Sequence, residues 1–313
     1  MKKLLIAVVL IFLLCIGSSY LFIPSQIKIE ESTLVTVNPQ AALRTLSNKN
    51  NWNKWWPEAG EVNQADSQFY FRNTSYNIYQ QTYSGFQIEI IKNPDSIYSL
   101  LNLLPLNMDT AKIQWSGLMQ TSLNPLKRIK QYWQAAQVKR EMHSLLSSLA
   151  LFLQKQENVY GLRIRKEIVK DTLLVFKESL TNVPPTPSSV YKIVASLKSH
   201  IQKESANETN FPMLNAYEVG QNKYRIMVAI PIDREIPLAD SIFFKRMVSG
   251  WILVSDVRGG PATIRNAYSE LNNFITDYSK TPVARPFESM VTNREVEKDT
   301  SKWITRIYFP IVL

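Results

Sequence analysis

An acidic residue stands in a strand otherwise made for burial. In the run from Phe287 to Thr292, the period of two of a β-strand puts Glu288, Met290 and Thr292 on one face and Phe287, Ser289 and Val291 on the other. A carboxylate that shares a face with a thioether and nearby aromatics suits an organic cation, because burial penalises an unpaired charge and rewards a partner. An ion pair with Arg306 on the following strand answers the same need, so ligand contact and structural pairing both stand. Other reactive chemistry is sparse. The one cysteine, Cys15, sits in an N-terminal apolar run, and the two histidines, His143 and His200, are far apart. A thiol nucleophile, a disulfide, a Ser-His-Asp site, a metal and a cofactor are therefore not expected. His143 falls in step with a helical stripe and is expected as a hydrogen-bonded core or boundary histidine, with a cavity-facing histidine as the alternative.

The segment around Glu288 is the second telling of a repeated pattern. Pro187 opens a helical stretch that is followed by Ala216-Tyr217-Glu218-Val219 and by a strand ending Ile230-Pro231-Ile232. Pro261 opens a second stretch, followed by Pro286-Phe287-Glu288-Ser289 and a strand ending Phe309-Pro310-Ile311. Leu197 and Leu271 each lie 10 residues past their proline (197 − 187; 271 − 261), and Ile201 and Ile275 each lie 14 past it. Strand-like runs, Leu173 to Glu178 and Trp251 to Val257, precede the two helices, so each copy reads strand-helix-strand-strand. Two such units pair into a curved pseudo-twofold sheet with a natural ligand cleft between them. Glu218, the counterpart of Glu288 in the motif, adjoins a short turn and is expected in solvent.

From about residue 159 onward the chain resembles the gyrase-inhibitor-like (GyrI-like) effector-binding domain of multidrug-responsive regulators. The resemblance rests on the duplication, Gly259-Gly260-Pro261, Tyr268 with Leu271, Phe287-Glu288, and the terminal Tyr308-Phe309-Pro310-Ile311. It implies that Glu288 sits among aromatics and meets cationic, lipophilic ligands, with Trp251, Tyr268 and Tyr308 as aromatic walls. Some members of that family are hydrolases. Met290 stands where family members often carry a tyrosine.

The first half of the chain must hold a different layer. A strand-like run at 27 to 37, a helix after Asn38-Pro39 and Asn50-Asn51-Trp52-Asn53-Lys54-Trp55-Trp56-Pro57 come first. Strands are expected over Gln68 to Arg72, Tyr76 to Tyr83, Gln87 to Lys92, Ser96 to Leu104 and Ala111 to Thr121. A long helix then runs from Leu126 to about Gln156, on a stripe of Ile129, Trp133, Ala136, Leu146, Leu149 and Leu153. This order, with the tryptophan motif, is similar to the START/polyketide-cyclase-like (SRPBCC) helix-grip superfamily, which implies a hydrophobic cavity without a universal catalytic residue. Trp52, Trp55 and Trp56 are expected to plug the end of the core rather than line a site. The five cations of residues 127 to 140 superficially suit nucleic acid, yet are expected as a solvated face, near anionic headgroups if near anything.

With 313 residues, 45% hydrophobic content and 9 glycines, two ordered domains fit better than one, and disorder is not indicated. Met1-Lys2-Lys3 followed by the apolar run 4 to 23 reads as an uncleaved membrane anchor, with a cleaved signal as the alternative. The expected organisation is an anchor over 1–26, a helix-grip domain over 27–156 and a GyrI-like domain over 157–313, an α+β chain whose bulk lies on the extracytoplasmic side. The expected function is a tethered binding protein for small amphiphilic or cationic ligands, with no nucleic-acid partner. One alternative is a hydrolase of a small lipophilic substrate with Glu288 as acid or base. The other is a regulatory or scaffold protein whose partner fills the cleft.

Overall fold

Residues 17–57, 68–169, 173–239 and 241–312 are described here, from a computed structural model of the chain. The chain divides into two compact units, Met1–Lys155 and Gln156–Leu313, and both are α+β.

In the first unit, alternation of apolar and polar residues makes β1 (Gln26–Val35), β2 (Gln68–Phe71), β3 (Thr74–Gln81), β4 (Gly85–Lys92), β5 (Asp95–Pro105) and β6 (Ala111–Gln120). They form one antiparallel sheet in the order β1-β6-β5-β4-β3-β2. Two helices start on the same signal, an asparagine cap followed by proline: α1 (Pro39–Ser47) behind Asn38 and α2 (Pro125–Leu153) behind Asn124. Each cap's carboxamide oxygen accepts two main-chain N–H groups that the helix leaves without partners, and proline at the first turn loses nothing by lacking its own. The helix α2 packs chiefly along β1.

The three tryptophans fill this interior. Trp52, Trp55 and Trp56 are 1%, 4% and 3% exposed, with ring centroids 5.1 to 6.1 Å apart, and Phe69, Phe86 and Tyr76 complete the stack. Each such ring pair adds about 0.5–1.5 kcal/mol beyond its buried area. As expected, the three tryptophans are packed in the core.

The buried face of α2 differs from the expected stripe. Ala135, Val138, Met142, Leu145, Leu146 and Leu149 face inward, while Ile129 and Trp133 are 38% and 61% exposed. The reason is that polar residues occupy inward positions and find partners there. Gln131 reaches Asp95, and Glu141 accepts from Lys92 at 2.7 Å and from the Tyr76 hydroxyl at 3.0 Å. His143 is consequently neither core nor cavity-facing; it is exposed, 3.4 Å from Glu31. Nor are the cations of this helix all solvated: Arg128 is buried and donates twice to the Ile23 carbonyl.

Most of the apolar run expected to span a membrane, residues 1 to 16, lies outside the described residues. Residues 17–22 are helical, and among the described residues no helix is long and apolar enough to cross a membrane. Arg128 at Ile23 and the Tyr20 hydroxyl at the Leu123 carbonyl tie the end of that run to the first unit.

In the second unit, the short α3 (Gln156–Tyr160) leads into β7 (Arg165–Ile168), β8 (Leu173–Thr181), α4 (Pro187–Lys203), β9 (Met213–Gly220) and β10 (Lys223–Pro231). The pattern then repeats as β11 (Phe243–Arg246), β12 (Trp251–Arg258), α5 (Pro261–Asp277), β13 (Thr281–Pro282), β14 (Phe287–Met290) and β15 (Ile304–Val312). The sheet runs β11-β8-β10-β9-β14-β15-β12-β7, with β13 on β15, and is symmetric about the β9–β14 seam. Each copy lends its leading strand to the other: β7 pairs with β12 and β11 with β8. One apolar cluster packs under α4, through Val190, Val194, Leu197 and Ile201. The other packs under α5, through Ile264, Ala267, Leu271 and Ile275.

The chain turns into α5 at Gly259, just before the cap Gly260; its φ of 140° belongs to glycine, and a Cβ there would meet Thr263 at 2.6 Å. Its N–H donates to the Trp303 carbonyl at 2.9 Å. That bond fixes the first turn of α5 beside the segment carrying Trp303.

Candidate functional site

The seam places Glu288. On β14 it lies opposite Leu214 of β9 and Ile307 of β15, so its side chain is on the helix-covered face. The helices repeat at an offset of 74 residues (261 − 187), and 214 + 74 = 288. Leu214, not Glu218, is therefore the counterpart of Glu288 across the pseudo-dyad. The motif match of Glu218 is four residues out of step, and Glu218 is exposed and accepts from the Asn222 N–H of its own turn. By the same offset, Tyr268 stands where the first copy has Val194, and Arg265 where it has Tyr191. The second copy has gained polar groups at positions that face the seam.

Glu288 is ion-paired, but not to Arg306. Arg294 donates through Nη2 to Glu288 Oε2 at 2.8 Å and to Thr305 Oγ1 at 2.8 Å, and the two side chains are 10% and 16% exposed. Arg306, one residue from Ile307 and level with Ser289, projects from the opposite sheet face and pairs with Asp256 at 2.6 Å. Arg294 is held in turn. Its main-chain N–H donates to the Tyr191 hydroxyl, which donates to the Thr292 carbonyl, and its guanidinium lies 5.1 Å from the Trp303 ring centre. Nothing in the sequence pattern singled out Arg294, because it sits in the loop after β14; its distance of six residues from Glu288 is the only cue.

Around this pair is a cleft of 550 Å³ between the first turns of α4 and α5. Pro187, Tyr191, Arg265 and Tyr268 come from the helices; Leu214, Glu218, Tyr224, Glu288 and Met290 come from the strands; Arg294 and Trp303 close it. Burial pushes the Tyr268 hydroxyl far above the ordinary phenol range; the Glu288 charge adds to the rise and Arg294 opposes it. Tyr191 is raised by burial and held back by its bond to Arg294. Both phenols thus stay neutral donors beside the carboxylate. Arg294 Nε is buried with no hydrogen-bond partner, and no hydrogen bond reaches Glu288 Oε1 among the described residues.

Two of the expected aromatic walls lie elsewhere. Tyr308 pairs with Phe287 and stacks on it at 5.0 Å, on the face away from Glu288. Trp251 shares the face of Glu288 but is four residues along β12 from Ser255, which is level with Ile307; at ~3.3 Å per residue that is about 13 Å. The Lys166 ammonium covers its ring at 4.3 Å. Of the four expected residues, Glu288 and Tyr268 meet in the cleft. Among the described residues no three His, Cys, Asp or Glu side chains are grouped to hold a metal ion.

No family model matches the chain, and no curated protein matches it. Solved structures show partial likeness. The C-terminal domain of EcmrR is 18% identical with a TM-score of 0.42, over 48% of this chain and 98% of that domain. SAV2435, solved bound to tetraphenylphosphonium, is 14% identical with a TM-score of 0.32, over 48% of this chain and 94% of its own. The Zhui aromatase/cyclase from Streptomyces sp. R1128 is 8% identical with a TM-score of 0.27, over 40% of this chain and 92% of its own.

Proposed function

We propose that the second unit is a binding domain for a small amphiphile carrying a cationic group, which lies in the cleft with its charge on Glu288 Oε1 and its apolar body against Tyr268 and Trp303. The half-satisfied carboxylate carries the reading: Oε2 is committed to Arg294, while Oε1 faces a cavity large enough for a ligand of several rings. A part-buried carboxylate with one oxygen unused is stabilised by any donor or cation that enters. Because Arg294 neutralises much of the charge, affinity comes jointly from Oε1 and from aromatic contact, and the ligand class is amphiphilic first and cationic second. The bulk of the chain is proposed to lie across a membrane from Lys2 and Lys3, tethered by the apolar run 4 to 23. A reporter fused after Leu313 is then active outside the cytoplasm; activity of a cytoplasm-only reporter at that end reverses the orientation.

The charge preference is tested by titrating the full chain with tetraphenylphosphonium and with tetraphenylborate, which share shape and differ in sign. The cation is expected to bind more tightly. Equal or tighter binding of the anion rejects Glu288 as the ligand's partner. Turnover of an ester panel that disappears in Glu288→Gln would make the cleft an active site instead.

A further inference from the structure

The face of the second unit's sheet that the helices leave uncovered carries an apolar patch among its charged groups. Strand alternation puts Met213, Met227, Phe176 and Phe287 on it, Met247 folds over from the segment after β11, and together they floor a concavity of 260 Å³. Three of the chain's 8 methionines gather here. A thioether floor is soft and adaptable, as surfaces that accept flexible apolar guests are, and the volume falls just below the range of roughly 300–1,000 Å³ usual for drug-sized ligands. It suits a slim body.

Two cations stand at the rim. Lys245 and Arg285 are both exposed and both line the concavity. Neither forms an ion pair among the described residues. Arg285 lies over the Tyr217 ring at 3.9 Å, an arrangement that orders the guanidinium while leaving its in-plane N–H groups outward. Elsewhere on this face, Arg225 and Glu178 are likewise without ion pairs, and Arg306 is held by Asp256. Cations therefore exceed carboxylates among the unpaired groups, and the preference is opposite in sign to that of the cleft, where Glu288 supplies the unused atom.

We infer that this groove is a second ligand site, for an amphiphile with a single anionic head and a slim hydrocarbon body, of which a medium-chain carboxylate is the simplest case. The head engages Lys245 and Arg285, and the chain lies on Met213, Met227 and Phe287. The site is distinct from the cleft in place and in charge, so it does not depend on the cleft being a cation site.

The probes are decanoate and decyltrimethylammonium, each below its micelle concentration, titrated calorimetrically into the full chain. Decanoate is expected to bind, to shift the methyl resonances of Met213, Met227 and Met247, and to lose roughly tenfold or more in affinity in the Lys245→Glu, Arg285→Glu double variant. Both changes are at exposed positions and are expected to leave thermal unfolding unaltered. Glu288→Gln is expected to leave decanoate binding unchanged. Undiminished decanoate affinity in the double variant overturns the inference, as do methionine resonances that do not move and decanoate that competes with tetraphenylphosphonium. A wild-type chain that ignores decanoate but dimerises, and that the double variant returns to monomer, assigns the groove to a second copy and overturns it equally. If the double variant fails to fold, the methionine shifts and the competition experiment decide on the wild-type chain.

Discussion

Among the described residues each unit has one ion pair largely shielded from solvent, and the two pairs are built differently. In the first unit both oxygens of Glu141 are used, one by Lys92 and one by the Tyr76 hydroxyl, and Lys92 takes a further partner in Thr74. Burial and the Glu141 charge push the Tyr76 hydroxyl far up, so it stays a donor. On the Tyr76 side the surroundings are packed rings, while Arg72, Asn73, Gln137 and Arg140 line a hollow over the pair. In the second unit Arg294 takes one oxygen of Glu288 and leaves the other to a cleft, while its own Nε goes without a partner. A closed network fixes a fold; an open one holds donors and acceptors ready for a guest. Under the proposed function, the difference separates a carboxylate that holds the fold from one left open to a ligand.

Breaking the closed pair should cost most. Lys92→Met leaves Glu141 buried and charged with only the tyrosine to answer it, and unfolding in denaturant should show a loss of about 3–5 kcal/mol. Replacing both members, by Met at 92 and Leu at 141, should recover a large part. A loss under ~1 kcal/mol in the single variant would mean that water reaches Glu141 and that the contrast with the cleft is false.

Breaking the open pair from the arginine side should cost less and change binding. Arg294→Met frees both oxygens of Glu288 into a cavity that water can enter, so a loss of about 1–3 kcal/mol is expected. Tetraphenylphosphonium affinity should rise, because the carboxylate no longer shares its charge. A fall in affinity would show that Arg294 shapes the cleft more than it neutralises it.

The sequence disclosed the elements better than the contacts between them. Asn38-Pro39, Pro187 and Gly260-Pro261 mark helix starts that the structure contains, since the first turn is set by local chemistry. The inward face of α2 was not legible because Arg128, Gln131 and Glu141 are buried by partners distant in the chain, which no apolar stripe encodes. The match of Glu218 to Glu288 fails for a different reason: the helices and the strands β9 and β14 all repeat at an offset of 74, whereas a motif aligned by residue type takes 70 (288 − 218) and slips by four against the sheet. Tyr308 was misplaced by strand phase, which the pairing of Phe287 with Tyr308 fixes and the sequence does not. Arg294 belongs to a loop, where periodicity is silent.

The smallest effect is expected at an exposed ion pair. Burial tends to raise the Asp256 carboxyl, but hydrogen bonds from Arg306 and Arg165 outweigh it and hold it below the ordinary carboxylate range. A carboxyl lowered in the folded state contributes stability above its unfolded value, and that contribution disappears as pH falls through the lowered folded value. The group is 37% exposed, so solvent discounts the contribution. Asp256→Asn should flatten the acid limb of the thermal stability profile slightly and leave the profile at neutral pH nearly unchanged. A large drop at neutral pH would place Asp256 with the buried pairs.

If Glu288 serves a ligand more than it serves the fold, its replacement by Gln separates the two roles. The amide keeps the shape and one acceptor for Arg294 while removing the charge. Tetraphenylphosphonium affinity and the midpoint of thermal unfolding should be measured together on the full chain. Binding is expected to weaken by about 1–3 kcal/mol, the scale of a charge-assisted contact in a partly desolvated pocket, with the midpoint moving by no more than a few degrees. Unchanged affinity together with a large fall in the midpoint would contradict the account and make Glu288, like Glu141, a structural partner.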